Sequence, residues 1–203
     1  MAESDIAICS RALLSIGADA VSSITDGSTD RGNTCNALYP ALRDAILGMH
    51  PWRFATIKVQ LAQVVGTPTN EWDYAYQLPP DMIAGPYAVF NSATSARPMT
   101  DFEIFGDKLL TDETVIYIDY RYQPPESKFP PWFAELLVIA LAGKLAPHVT
   151  EKAELAIEMN ERAWGTRSED YQGGWFGVCK TINAQANPSI QLRNDAITEA
   201  RFS

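Results

Sequence analysis

The sequence predicts an α+β fold: an antiparallel helical bundle, a small antiparallel β-sheet domain inserted into it, and an extended C-terminal tail. Three observations carry this expectation. Apolar residues recur at spacings of three and four near both ends of the chain but at a spacing of two across residues 55–122. Neither helical segment can bury its apolar face alone, so the two must pack together and the sheet lies between them as an insertion. Beyond Tyr171 no period persists. The divisions that follow are 1–54 (N-terminal helices), 55–125 (inserted sheet), 126–170 (C-terminal helices) and 171–203 (an extended tail that docks on partners).

Residues 5–16 read as a helix, with Ile6, Cys9, Leu13 and Ile16 on one face, Ser4 as cap and Gly17 as stop. "SSITDGSTDRG" is a turn-rich loop. A second helix carries Leu38, Leu42, Ala45, Ile46 and Met49 on one face, and Pro40 should kink or interrupt it. In "EWDYAYQL" the residues Trp72, Tyr74, Tyr76 and Leu78 alternate against Glu71, Asp73, Ala75 and Gln77, as in a strand with one buried face. "IKVQLAQVV", "MIAGPYAVF", "DFEIF" and "TVIYIDYRY" complete one compact sheet of five or six strands, with a Gly-Asp turn in "FGDKLL". Pro130 and Pro131 suit a helix start. "WFAELLVIALAGKLA" is apolar nearly all round and reads as a central helix that Pro147 stops. Thr150 caps a last helix over 151–168, with Ala153, Ile157 and Trp164 inward.

The chain has 203 residues, 46% hydrophobic and 20% charged, with net charge −9. Such a balance builds a core and argues against a general nucleic-acid binder, which needs a basic stripe. It does not exclude a surface that lets DNA slide past, because an acidic wall repels phosphate. Cys9, Cys35 and Cys179 are odd in number and far apart in sequence, so they read as free thiols of a reducing compartment. The acidic "MAESDIAICS" is no signal peptide. The apolar run 133–146 is short and contains Glu135 and Lys144, so no membrane span is expected.

No phosphate loop, paired helical histidines, Cys-x-x-Cys or nucleophile elbow is present in the sequence. No metal or other cofactor is expected: a metal site needs three or four convergent ligands, and two histidines, His50 and His148, with three scattered cysteines do not supply them by spacing. His50, beside a proline at a predicted helix end, is favoured by the helix dipole. Glu71 with Asp73, Asp101 with Glu103, and Asp112 with Glu113 have the spacing of acid–base pairs, yet a solvated strand face has the same pattern. The Trp72–Tyr74–Tyr76 stripe can stack a sugar, or form sheet core. Trp175 and Phe176, within "GGWFG", read as two exposed aromatics on a glycine hinge, the form of an interface anchor.

"LGMHPWRFA" ends the second helix and opens the sheet. Pro51 denies His50 a helical continuation. Trp52 and Phe54 are expected to plug the gap between helices and sheet, making His50, Pro51, Trp52 and Phe54 a structural joint. Arg53 is expected to pair with a carboxylate of the same or a neighbouring subunit and is not proposed as catalytic.

The ordered pieces resemble a known family. "ICSRALLSIGADAVSSITDGSTDRGNTCNALYPALRDAILGMHPWRFA", "YAYQLPPDMI", "GDKLLTD" and "FAELLVIALAGKLA" together are similar to the phage tail tubular protein A family, the head-to-tail adaptors of short-tailed phages. The resemblance covers residues 4 to about 170. It implies a non-enzymatic virion protein made in the host cytoplasm. Such a protein forms a ring of about twelve copies between the portal protein and the tail nozzle protein, and DNA passes through the channel without specific binding. At −9 per copy such a ring carries roughly −100 charges. Its contacts are heterologous and closed by rotation. On this reading, deleting residues 172–203 leaves the fold intact and abolishes portal binding. The alternative is a small acidic hydrolase or carbohydrate-binding module that uses the aromatic strand and a carboxylate pair.

Overall fold

A computed structural model describes residues 3–186, apart from 28, 67, 69, 96 and 151. Within these residues the fold is α+β, with two small antiparallel sheets. Helix α1 is Asp5–Ser15; the Ser4 hydroxyl accepts from Ala7 N–H at 3.1 Å, and Ile8, Cys9, Ala12 and Leu13 form its buried face. Helix α2 is Asp30–Met49, capped by Thr29, whose side chain accepts from Gly32 N–H. The predicted interruption at Pro40 does not occur. One backbone donor is lost there, but Tyr39 and Leu42 beside it are anchored in the core and hold the helix through.

The strands are β1 (Thr56–Gln60), β2 (Tyr74–Gln77), β3 (Met82–Phe90), β4 (Glu103–Phe105), β5 (Lys108–Thr111) and β6 (Tyr117–Tyr122). They form two three-stranded sheets, β1-β6-β3 and β2-β5-β4, where the sequence predicts one. Alternation reveals which face of a strand is apolar but not which strand stands opposite. Tyr76 and Leu109 from one sheet meet Val89, Ile118 and Tyr120 from the other in a second hydrophobic core.

Helix α3, Pro131–Val149, is apolar all round because α1, α2, α4 (Ala153–Trp164) and α5 (Gly174–Gln185) all contact it. Its Glu135 is not an intrusion: the carboxylate pairs with Arg11 of α1. Pro147 does not stop this helix. It lies in the last turn, where it removes a single bond, and Thr150 then closes the end by bonding back to Ala146 O at 2.9 Å. Thr150 therefore terminates α3 and does not cap α4.

On α4 the buried residues are Ala156, Met159 and Ala163, not Ala153 and Ile157. The crossing with α3 is tight: a Cβ on Gly143 would lie 2.9 Å from Asn160 Oδ1. Close approach selects small residues at the contact and turns Ile157 outward, 60% exposed.

The predicted tail is corrected as well. Residues 174–185 form α5, with Phe176, Cys179 and Asn183 at helical spacing on its buried face. The glycines before it are not a hinge but a backbone crossing: Gly174 has φ +55°, and a Cβ there would lie 2.5 Å from Gly165 N. The rest of the expected tail, 187–203, lies outside the described residues.

A candidate partner-binding surface at the helix–sheet joint

After Met49 the chain turns extended at His50 (φ −142°, ψ 147°), passes Pro51 and Trp52, makes one 3-10 turn over Arg53–Ala55 and becomes β1. Trp52 is fully buried in the helical core, and its Nε1 donates to Ile46 O at 2.8 Å. Its ring contacts His50 at 4.6 Å, Phe133 at 5.3 Å, Trp132 at 5.7 Å and Phe176 at 6.0 Å, the first, second and fourth edge-on. Phe54 is half-buried against Phe129, Trp132 and Phe133. Edge-on aromatic pairs add about 1 kcal/mol each beyond the area they bury. Trp52 and Phe54 thus insert among helices, and the tie to the sheet is made by a different residue.

Arg121 of β6 supplies that tie. The last carbonyls of any helix lack intrahelical partners. Arg121 Nη1 donates to Leu47 O at 2.9 Å, Gly48 O at 2.6 Å and His50 O at 2.7 Å. Three acceptors meet one nitrogen with two hydrogens, so at least one hydrogen is shared. The side chain is only 5% exposed, and the Tyr87 ring covers the guanidinium at 4.5 Å. Tyr87 belongs to the stretch of β3 where the register against β6 shifts, between Ala84 and Ala88. A cation here also complements the negative end of the α2 dipole. Burial holds the Arg121 pKa below its ordinary value, and Nε remains without a partner.

Asn183 of α5 clamps the joint from the other side. Its Oδ1 accepts from Arg53 N–H at 3.0 Å, which fixes the amide orientation; its Nδ2 donates to Pro51 O at 3.1 Å and faces His50 Nε2 at 3.2 Å. His50 Nε2 is therefore the acceptor, and the ring is neutral. Three causes hold its pKa below 6.5: burial first, then the charges of Lys180 and Arg121. The dipole attraction anticipated for a protonated His50 is overruled by burial first and then by these two cations.

His50 feels Lys180 and Arg121, and exposed Arg53 has no carboxylate partner among the described residues, so of the two pairings expected for it the one within the same chain is not formed there. Two exposed apolar side chains lie on the same elements, Met49 at the end of α2 and Val178 on α5. Neither Arg121, Lys180 nor Asn183 is singled out by the sequence. Arg121 follows the alternation of "YIDYRY" as any solvated residue would, and α5 was read as tail.

The other candidates fall elsewhere. Trp175 and Phe176 do not project as anchors: Trp175 Nε1 donates to Trp132 O at 2.9 Å, and Phe176 is 4% exposed against Trp52 and Trp164. Tyr76 and Leu78 of the aromatic stripe are buried in the second core, and Trp72 is tied to Glu103 through Nε1 at 3.2 Å. Asp112 Oδ1 accepts from Asp73 N–H at the paired ends of β2 and β5, a contact that joins two of the three proposed acid–base pairs through backbone instead. A groove of about 600 Å³ brings Glu71 and Glu103 together with Phe105 and Lys108, a combination none of the sequence pairs anticipates. Cys9, Cys35 and Cys179 are all buried and free. Burial pushes the Cys179 thiol up to about 12, so it is no nucleophile at neutral pH.

A comparison with protein-family models finds no match for the chain. A search of curated proteins finds none either.

Proposed function

We propose that this chain is a structural head-to-tail adaptor: a helical bundle with an inserted sheet domain that assembles as a ring between portal and tail nozzle in a phage virion. The carrying observation is the ordered set of segments that resembles the tail tubular protein A family. In this fold those segments are its framework: "HPW" is the turn at the joint and buries its tryptophan, "GDKLL" spans the β4–β5 turn, and "FAELLVIALAGKLA" lies in the helix that all other helices touch. A likeness in framework residues supports a shared architecture. The locked joint supports the reading in a second way. Arg121 and Asn183 bind helices and sheets into one unit, as a subunit transmitting load between two other rings requires.

The test is native mass spectrometry of the purified chain, alone and mixed with the portal protein encoded beside it. The expected outcome is a ring mass, or a portal shifted by multiples of 22.4 kDa. A chain that stays monomeric and ignores the portal would sink the reading, and the groove beside Glu71 and Glu103 would then be screened with sugars by tryptophan fluorescence.

A further inference from the structure

Two of the three cysteines meet. Cys9 lies in the second turn of α1 and Cys35 in the second turn of α2, both wholly buried in the helical core. Their side chains share a hydrogen bond, with the Cys9 thiol as donor and Cys35 Sγ as acceptor. Tyr39, one turn beyond Cys35 on the same face of α2, also feels Cys9, so α1 sets this thiol directly against that face. Cys179 has a different partner: it lies on α5 and donates to Trp132 O at 3.3 Å. Helices α1 and α2 both pack on α3 and are joined in sequence by the turn-rich loop between them. The two facing thiols are unequal. The bond from Cys9 holds the Cys35 pKa below its ordinary value against the opposing effect of burial. The same bond, with burial adding to it, keeps the Cys9 thiol protonated. Cys35 is therefore the sulfur that ionises and attacks, and Cys9 is the one that resolves.

We propose that Cys9 and Cys35 form an oxidation site, a dithiol that hydrogen peroxide closes to a disulfide between α1 and α2. The Cys35 thiolate attacks one peroxide oxygen; the O–O bond breaks, hydroxide leaves, and Cys35 becomes a sulfenic acid. That hydroxide takes up the proton Cys35 gave when it ionised and becomes the first water. Cys9 sulfur then attacks the Cys35 sulfur: the S–O bond breaks, the S–S bond forms, and the departing hydroxyl takes the Cys9 proton as the second water. Two thiols lose two electrons, and one peroxide gains them. The sulfurs are already in contact and need only close to about 2.05 Å. Peroxide is small, and helix ends are the parts of a helix that open most readily, so burial slows the step without preventing it. The bond ties two helices that share α3 as their support, and it restricts the unfolded chain across the loop between them, so the oxidised form is the more stable one. An adaptor made in a reducing cytoplasm would acquire the bond once outside it; the chemistry itself does not depend on that reading.

The experiment uses the full, reduced chain at neutral pH. It is exposed to hydrogen peroxide without denaturant, quenched with catalase, unfolded and treated with N-ethylmaleimide. Intact mass counts the adducts, and peptide mapping places them. The expected product carries one adduct, on Cys179, and yields a linked Cys9–Cys35 peptide that a reducing agent separates. Its Tm is expected to rise by about 5 °C or more. A second measurement uses Cys9→Ala, which keeps a small apolar side chain and removes the resolving sulfur. Dimedone is expected to trap the sulfenic acid on Cys35 at least about tenfold faster than on Cys179. Three adducts on the exposed wild-type chain overturn the inference. So does a link that involves Cys179, or one that forms in urea but not in the folded chain. Dimedone on Cys179 in place of Cys35 overturns the assignment of Cys35 as the attacking sulfur. Should the alanine variant fail to fold, the wild-type map decides alone. Each of these outcomes leaves the adaptor reading where native mass spectrometry puts it.

Discussion

At the scale of single residues, the chain makes its most consequential contact through a buried arginine. Arg121 satisfies carbonyls that α2 cannot satisfy itself, and removing it takes the donor from Leu47 O and Gly48 O, while His50 O keeps its bond from Trp52 N–H. Arg121→Met, which keeps much of the volume, is expected to lower stability by about 3 kcal/mol, the loss of charge-assisted bonds plus the stranded acceptors. The urea midpoint measures it; a change under about 0.5 kcal/mol would mean that water replaces the guanidinium. His50 makes stability depend on pH. Its folded pKa lies below the unfolded value of 6.5, so the unfolded chain takes up the proton first. Stability from this group is complete above pH 6.5 and is lost as pH falls from 6.5 through the folded value. Protonation also sets His50 Nε2–H against the Asn183 amide donor. His50→Gln, which keeps an acceptor, is expected to flatten the stability profile just below pH 6.5; an unchanged slope would remove His50 as its source.

At the scale of elements, α5 is where the sequence is hardest to read. "GGWFGVCKTIN" has the glycine content of a loop, but its glycines serve a crossing with Gly165 and its aromatics close the helical core. Gly174→Ala adds a Cβ at 2.5 Å from Gly165 N, in a backbone conformation that alanine resists. The expected result is a loss of about 2 kcal/mol or more and weaker hydrogen-exchange protection along α5 while α1 and α3 keep theirs. Equal protection along all three helices would show that the crossing relaxes. The same physics explains α4. A helical period identifies faces by hydropathy, whereas the Gly143–Asn160 approach selects Ala156 and Ala163 for the contact by size.

At the scale of the whole molecule, the helical and sheet cores are separate, and the joint is their shared boundary. The deletion of 172–203, read from the sequence as harmless to the fold, now removes Phe176 and Cys179 from the helical core and Asn183 from the joint. That truncation is expected to unfold the helical part or to lower its Tm by well over 10 °C, since losing one buried aromatic alone costs about 3–5 kcal/mol. Circular dichroism on heating checks it. A truncation keeping residues 1–186 is the proper test of whether residues 187–203 dock on a portal: a chain that keeps its Tm and still binds the portal would remove them from that role.

The sequence by itself determined the α+β class, five of the six strands, the central helix and the position of the turn between helix and sheet. Each of these follows from local chemistry: periodicity, proline at a helix start, and a run apolar on every side. It did not determine that the strands split into two sheets, that α5 exists as a helix, or that Arg121 and Asn183 lock the joint. Those depend on which surfaces meet across 70 to 130 residues of chain, as the Arg121–Gly48 and Asn183–Arg53 bonds do. An arginine that caps a distant helix and an arginine that faces water look the same in a strand. Only the tertiary structure, by bringing the α2 carbonyls to it and excluding solvent, decides between them.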